Sequence, residues 1–205
     1  YGSIVKESWE LMQDSAYPWE ASLQGKFATR FGRAMNESCT TGDGSSKPNG
    51  VVTASTLGKP TASATAVTFQ EVIDLKHAID PAYRNSPKFG FMFHDTVLAY
   101  LKKLSLGSGD ARPLWQPSYR EGEPDTIDGT RYWINQGMDS SINASSKLIL
   151  CGDFSKYKIR IAQDMQMQRL NELYAVNGQI GFQSWMRWDG ELLNTSAIKH
   201  LITAA

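Results

Sequence analysis

Apolar positions along the chain follow three patterns, and each predicts a different kind of element. Between Trp19 and Cys39, Leu23, Phe27, Phe31, Ala34 and Met35 fall on one helical face, while Glu20, Lys26, Arg30 and Arg33 mostly lie elsewhere. Pro18 suits the first position of this helix, where its missing N–H is not needed. The spacing predicts a helix of about six turns, roughly 30 Å long at 1.5 Å per residue. A helix of that length does not fit inside a small core; it serves as a backbone against which a sheet packs. Ser8 is placed to cap a shorter helix that runs to about Asp14.

Further along, Thr68 and Glu71 form a capping box, with Val67 and Val72 placed as a hydrophobic staple. The box is worth about 1 kcal/mol, enough to fix where the helix begins. Val72, Leu75 and Ile79 give that helix its buried stripe, and Asp80-Pro81 closes it. The run Phe89 to Phe93 reads as a buried strand. A helix from Asp95 carries Val97, Leu98, Leu101 and Leu104, with Lys102 and Lys103 at its end and Gly107 as its stop. Lys147 to Cys151 reads as a second buried strand, followed by a turn at Gly152 to Ser155. Tyr157, Ile159 and Ile161 alternate with Lys158 and Arg160 as a half-buried strand. One hairpin is predicted at Asp128-Gly129, running into Tyr132-Trp133-Ile134. Another is predicted at Asn177-Gly178, with arms over 170–176 and 179–188. Asp189-Gly190 reads as a turn, and Ala197, Ile198, Leu201 and Ile202 as a last amphipathic helix. The Thr-, Ser- and Ala-rich stretch 53–68 reads as an extended linker. Alternating helix, strand and turn signals of this kind suit an α/β or α+β subdomain.

Composition narrows the function classes. Of 205 residues, 41% are apolar and 20% charged, which excludes disorder. Lys and Arg number 21 and so do Asp and Glu, and split at residue 100 the balance is 9 basic to 10 acidic, then 12 to 11, so neither half carries a field. A protein that holds nucleic acid mainly through phosphates normally shows a basic excess or stripe, so a dedicated nucleic-acid-binding module is not expected. No apolar run approaches 18 residues, so no membrane span is expected. Cys39 and Cys151 cannot make a disulfide framework and have no neighbouring His or Cys at metal-ligand spacing. Both read as buried free thiols, and neither a metal nor a cofactor is expected. The chain opens at Tyr1 with neither an initiator Met nor a secretory signal, and reads as a fragment or processed product.

Candidate chemistry is sparse. The Gly-rich segment 41–50 contains Lys47, but it lacks P-loop spacing and follows a helix instead of a strand. There is no Gly-x-Ser-x-Gly elbow. Of the three histidines, His77, His94 and His200, the His94-Asp95 pair at a strand–helix junction is the most suggestive, with Asp95 as a helix cap the plainer reading. Glu121, Glu123, Asp125 and Asp128 could hold a cation, although Gly122 and Pro124 favour a solvated loop. Cys151 ends an apolar strand, where nothing lowers its pKa. The 6 Trp, 8 Tyr and 8 Phe read mainly as core. A minority at strand ends or in the 114–119 loop read as anchors for subunit contacts.

Several strings carry a resemblance. Thr41-Gly-Asp-Gly-Ser-Ser-Lys-Pro-Asn-Gly-Val51, Phe69-Gln-Glu-Val-Ile-Asp-Leu75 and Pro113-Leu-Trp-Gln-Pro117 come first. Thr126-Ile-Asp-Gly-Thr130, Gly152-Asp-Phe-Ser-Lys-Tyr157 and Arg187-Trp-Asp-Gly190 follow in order. Together the sequence resembles the major capsid proteins of tailed phages and prophages, those with the Hong Kong 97-like fold. The resemblance implies an α+β peripheral domain with a long spine helix (Pro18 to Cys39) and a β-hairpin, joined to a compact α/β axial domain. On that basis residues 1–66 are peripheral, 67–163 axial, and 164–205 return to the peripheral domain with the hairpin and a C-terminal helix. It also implies a structural subunit with no catalytic, cofactor or metal residues. Such a subunit self-assembles into hexamers and pentamers of an icosahedral head enclosing DNA, and it localises to the virion after assembly in the host cytoplasm. Implied partners are copies of itself, scaffold, protease and portal proteins, and packaged double-stranded DNA held non-specifically, with no membrane. The family's upstream scaffolding region, N-terminal arm and extended loop have no counterpart before the spine helix, so the match is to the C-terminal portion of a family member. No Asn or Glu matches the crosslinking motif of some members, so that chemistry does not transfer. The alternative is a small cytoplasmic enzyme using His94-Asp95 or the 121–128 acidic loop.

Overall fold

The computed structural model describes residues 1–16, 18–107, 110–113, 115–116 and 125–205. In chain order the elements are β1 (Gly2–Ser8), α1 (Trp9–Asp14), α2 (Trp19–Thr41), α3 (Val51–Ala54), β2 (Thr56–Pro60) and α4 (Phe69–His77). Then come α5 (Pro81–Arg84), β3 (Phe89–Phe93), α6 (Asp95–Leu101), β4 (Ser105–Gly107), β5 (Asp110–Pro113) and β6 (Trp115–Gln116). The chain ends through β7 (Thr126–Ile127), β8 (Thr130–Ile134), β9 (Lys147–Asp153), β10 (Tyr157–Leu170), β11 (Gln179–Leu192) and β12 (Ile198–Ile202). Two compact units result, Tyr1–Asn36 with Ile159–Asp189, and Glu37–Lys158 with Gly190–Ala205. The chain passes between them inside α2, β10 and β11.

The first unit is a three-stranded sheet ordered β1-β11-β10, with the first part of α2 packed on it. Leu23, Phe27 and Phe31, the predicted i, i+4 stripe, are buried with Ile180 and Phe182. Burying side chains of this size stabilises by roughly 1.5–3 kcal/mol each. β1 pairs antiparallel with β11, placing Val5 opposite Phe182. The Ser8 hydroxyl caps α1 by accepting the Leu11 N–H. The hairpin differs from expectation in its first arm, which is 157–170 instead of 170–176, with 171–178 as the tip. Gly178 takes the left-handed conformation expected of an Asn-Gly turn (φ 64°). Backbone pairing continues along β10 although its side chains are largely exposed, which is why apolar alternation understated the strand.

The second unit is built on a seven-stranded mixed sheet, ordered β2-β12-β9-β3-β8-β7-β6. Leu148, Ile149, Leu150 and Cys151 on β9 are fully buried, as befits a strand covered on both faces. Val72, Leu75 and Ile79 from the α4 region and Val97, Leu98 and Leu101 from α6 join Phe91, Phe93 and Leu148 in its main core. The capping box at Thr68 and Glu71 forms with both of its hydrogen bonds, and Val67 lies in the same core as Val72.

Four expectations fail here. Residues 198–202 form a strand, not a helix, antiparallel to β9 and parallel to β2. An apolar run of five residues has no decisive period, and two neighbouring strands claim its backbone groups. Residues 53–68 are not a plain linker: they include the end of α3 and β2, the partner of β12. Asp189-Gly190 is no turn, since β11 runs through it. A Cβ on Gly190 would lie 2.4 Å from the Tyr157 hydroxyl, so this glycine serves close approach and not chain reversal. Gly107 likewise lies in β4, well beyond the end of α6.

Candidate functional site

The His94-Asp95 corner is a helix cap. The cap residue is His94, not Asp95: its Nδ1 accepts the Thr96 N–H at 3.2 Å. Asp95 stands one residue later in the first turn, where its charge suits the helix dipole. With its Nδ1 lone pair committed to the backbone, His94 is not poised as a base on that side. His77 faces Arg84, whose Nη1 lies 3.2 Å from its Nδ1.

Of the acidic loop, Glu121 and Glu123 lie outside the described residues. Asp128 accepts from Lys76 Nζ at 2.8 Å through its carboxylate and at 2.9 Å through its carbonyl, so its charge is already matched. Among the described residues no group of three or more His, Cys, Asp or Glu is placed to hold a metal.

Sequence reasoning passed over a buried Ser–His contact. Ser55 Oγ lies 2.8 Å from His200 Nδ1, and both residues are buried. The Ser55 hydroxyl donates to the Val52 carbonyl at 2.8 Å, which leaves its oxygen to accept from the ring. The histidine therefore takes no proton from the serine, and the pair is structural. Burial, aided by the nearby Lys147 charge, pushes the His200 pKa down to about 4. Cys151 is fully buried, and desolvation raises its thiol far out of the reactive range. Cys39 is buried as well.

The Gly-rich segment after α2 serves packing. A Cβ on Gly42 would fall 2.2 Å from the Pro48 carbonyl oxygen, and one on Gly50 would fall 2.5 Å from that of Thr40. Lys47 is exposed and pairs with Asp43 at 3.8 Å. The Ser45 N–H, donating to the Asp43 side chain, is the main cause that holds this carboxyl below its ordinary pKa. Asn49 ties the segment to two distant strings of the sequence: its N–H donates to the Gly190 carbonyl at 3.0 Å, and its carbonyl accepts the Tyr157 hydroxyl at 3.0 Å. Its side chain donates to Glu191 at 2.9 Å. The end of α2, the start of β10 and the end of β11 are thus joined within the second unit, close to each point where the chain leaves it.

What remains exposed is apolar surface. Around the hairpin tip of the first unit, Trp9 is 60% exposed, Leu173 67% and Val176 98%, and the Trp9 N–H bonds the Gly178 carbonyl. β10 is an edge strand of fourteen residues with half-exposed Ile159 and Ile161. Of the aromatics, Trp133 packs edge-on against Phe154 and Phe93 stacks on Tyr132, as core residues do. In the 114–119 loop, Leu114 and residues 117–119 lie outside the described residues, while Trp115 packs on the main core beneath Lys102.

The protein is a mixed α+β chain of two units, with His200 and both thiols buried and apolar residues exposed at a tip and an edge of the first unit. The sequence matches the Phage capsid family over residues 1–202, and the chain belongs to that family. The fold is likewise that of solved capsids. The capsid of an empty GTA particle has a TM-score of 0.85 and 28% identity over 100% of this chain and 73% of its own. The structure from Gordonia phage Cozz has a TM-score of 0.68 and 12% identity, over 100% of this chain and 70% of its own. The holo-SrpI encapsulin complex from Synechococcus elongatus PCC 7942 has a TM-score of 0.65 and 11% identity, over 98% and 72%. The last two show the Hong Kong 97-like fold alone. No curated protein matches the chain. The protein is a phage-type capsid protein, structural and not enzymatic, which closes the alternative built on His94-Asp95 and the 121–128 loop. No helix among the described residues is long and apolar enough to cross a membrane.

Proposed function

We propose that the chain assembles into hexamers and pentamers of an icosahedral head that encloses double-stranded DNA. The observation that carries this reading is the match to the capsid family over residues 1–202, with a fold shared over the whole chain with a GTA particle capsid. In this reading the unit of Tyr1–Asn36 and Ile159–Asp189 takes the peripheral role, and the unit holding most of residues 67–163 takes the axial role. Scaffold, protease and portal proteins are its assembly partners, assembly takes place in the host cytoplasm, and contact with DNA is non-specific. A modest interface of about 800 Å² per partner, repeated around a closed shell, holds each subunit through several neighbours at once. Electron microscopy of the protein expressed from its complete coding region tests this. Closed particles with five- and six-fold capsomers are expected. Monomer alone, across a wide range of concentration and salt, overturns the reading.

A further inference from the structure

An open cavity of about 410 Å³ in the second unit is lined by Lys76, Arg84, Ser86, Phe89, Gly129 and Arg131, among others. It lies between the C-terminal end of α4, α5 and the turn joining β7 to β8. Three of its side chains are cations, and two carboxylates stand against the lining: Asp128, 2.8 Å from Lys76 Nζ, and Asp153, which accepts from the Ser86 hydroxyl at 2.8 Å. Two of the cations have structural duties. Lys76 also donates to the Asp128 carbonyl, and its side chain is only 20% exposed. Arg84 donates through Nε and Nη2 to the Ile79 carbonyl and through Nη2 to that of His77, satisfying acceptors at the end of α4. Arg131 has no such duty. Its side chain is exposed and makes no hydrogen bond or ion pair among the described residues.

We propose that this cavity binds a phosphoryl oxyanion. Lys76 and Arg84 are already held in place, so little side-chain order remains to be imposed on binding. Arg131 supplies a planar fork suited to two oxygens of a tetrahedral anion. Three cations against two carboxylates leave one positive charge in excess, and Arg131 carries it. The volume falls within the range of small-ligand sites and exceeds what a carboxylate fills. Phe89 and Pro87 add an apolar wall. The phosphoryl group could come from free phosphate and phosphomonoesters or from a nucleic-acid backbone, and the test separates the two.

The test is an amide NMR titration of the intact chain with inorganic phosphate, against chloride at equal ionic strength. Saturable shifts centred on Gly129 to Arg131 are expected, with a Kd in roughly the millimolar range. Arg131→Gln, at an exposed position, is expected to keep the fold and raise that Kd at least about tenfold, with Arg131→Lys intermediate. A short DNA oligonucleotide with and without a 5′-phosphate gives the second arm. Competition that needs the terminal phosphate identifies a monoester ligand, and competition by both forms identifies the backbone; either supports the site. Shifts no different from chloride, or unchanged in Arg131→Gln, overturn it.

Discussion

A Cβ added at Gly152 would lie 2.2 Å from the Ala197 carbonyl oxygen and 2.6 Å from Ile198 Cα, both backbone atoms that cannot swing away. Gly152→Ala is therefore expected to destabilise by about 1–3 kcal/mol or more, read from the urea midpoint. Gly25 and Gly32 are the opposite case, because a Cβ at either meets nothing within 4 Å and both sit inside α2. Gly25→Ala and Gly32→Ala are each expected to stabilise the isolated chain by up to about 1 kcal/mol, the helix penalty of glycine. His200 sets a pH dependence. Its pKa is 6.5 ordinarily and about 4 in the fold, so as pH falls the unfolded chain takes the proton first. Its share of stability is complete above about pH 6.5, declines between 6.5 and 4, and is exhausted below that. At about 1.36 kcal/mol per unit the loss is at most roughly 3–4 kcal/mol. Urea midpoints measured across this range should fall for the parent protein and fall less for His200→Asn. An equal decline in both would exclude His200 as the cause.

Elements specified by neighbouring residues were legible in the sequence, and those specified by distant partners were not. The start of α4 is fixed by Thr68 and Glu71, three residues apart, and both predicted hydrogen bonds form. The buried stripe of α2 repeats every four residues and needs no tertiary knowledge. By contrast, β2 and β12 are strands because residues about 140 positions apart pair, as Leu57 does with His200. Nothing in the local run of either predicts that partner. The cap at His94 was missed because histidine is an uncommon cap and Asp95 stands beside it. The His200–Ser55 contact joins residues 145 positions apart and had no local signal at all. Glu71 yields a prediction at this scale. Its carboxylate accepts the Thr68 N–H and, across to the β2 side, the Ala62 N–H, both at 2.7 Å. Thr68→Ala should cost about 1 kcal/mol, the usual loss of a cap. Glu71→Ala strands two part-buried donors and should cost about 2 kcal/mol or more by chemical denaturation. Equal costs would mean that the bond to Ala62 contributes nothing.

Neutrality holds within each compact unit as well as for the whole molecule. Residues 1–36 and 159–189 carry seven Lys or Arg and seven Asp or Glu, which leaves fourteen of each in the second unit. A chain without a net field in either part does not repel its copies, whichever parts meet. Net charge supplies no attraction either, and in the proposed assembly the contacts rest on surfaces such as those of Trp9, Leu173, Val176 and the half-exposed isoleucines of β10. Apolar contact and charge pairing respond differently to salt, because screening shortens to about 3 Å at 1 M while apolar burial is unaffected or strengthened. If the proposed self-association rests on apolar contact, raising salt from about 0.05 to 0.5 M near neutral pH should change the association constant less than about threefold. Moving well away from pH 7.0, the sequence pI, at low salt should weaken association as like charge accumulates on every copy. Light scattering over a grid of salt and pH separates these effects. A steep loss of association with added salt at neutral pH would show instead that matched local charges hold the copies together, with the zero sum concealing opposed patches.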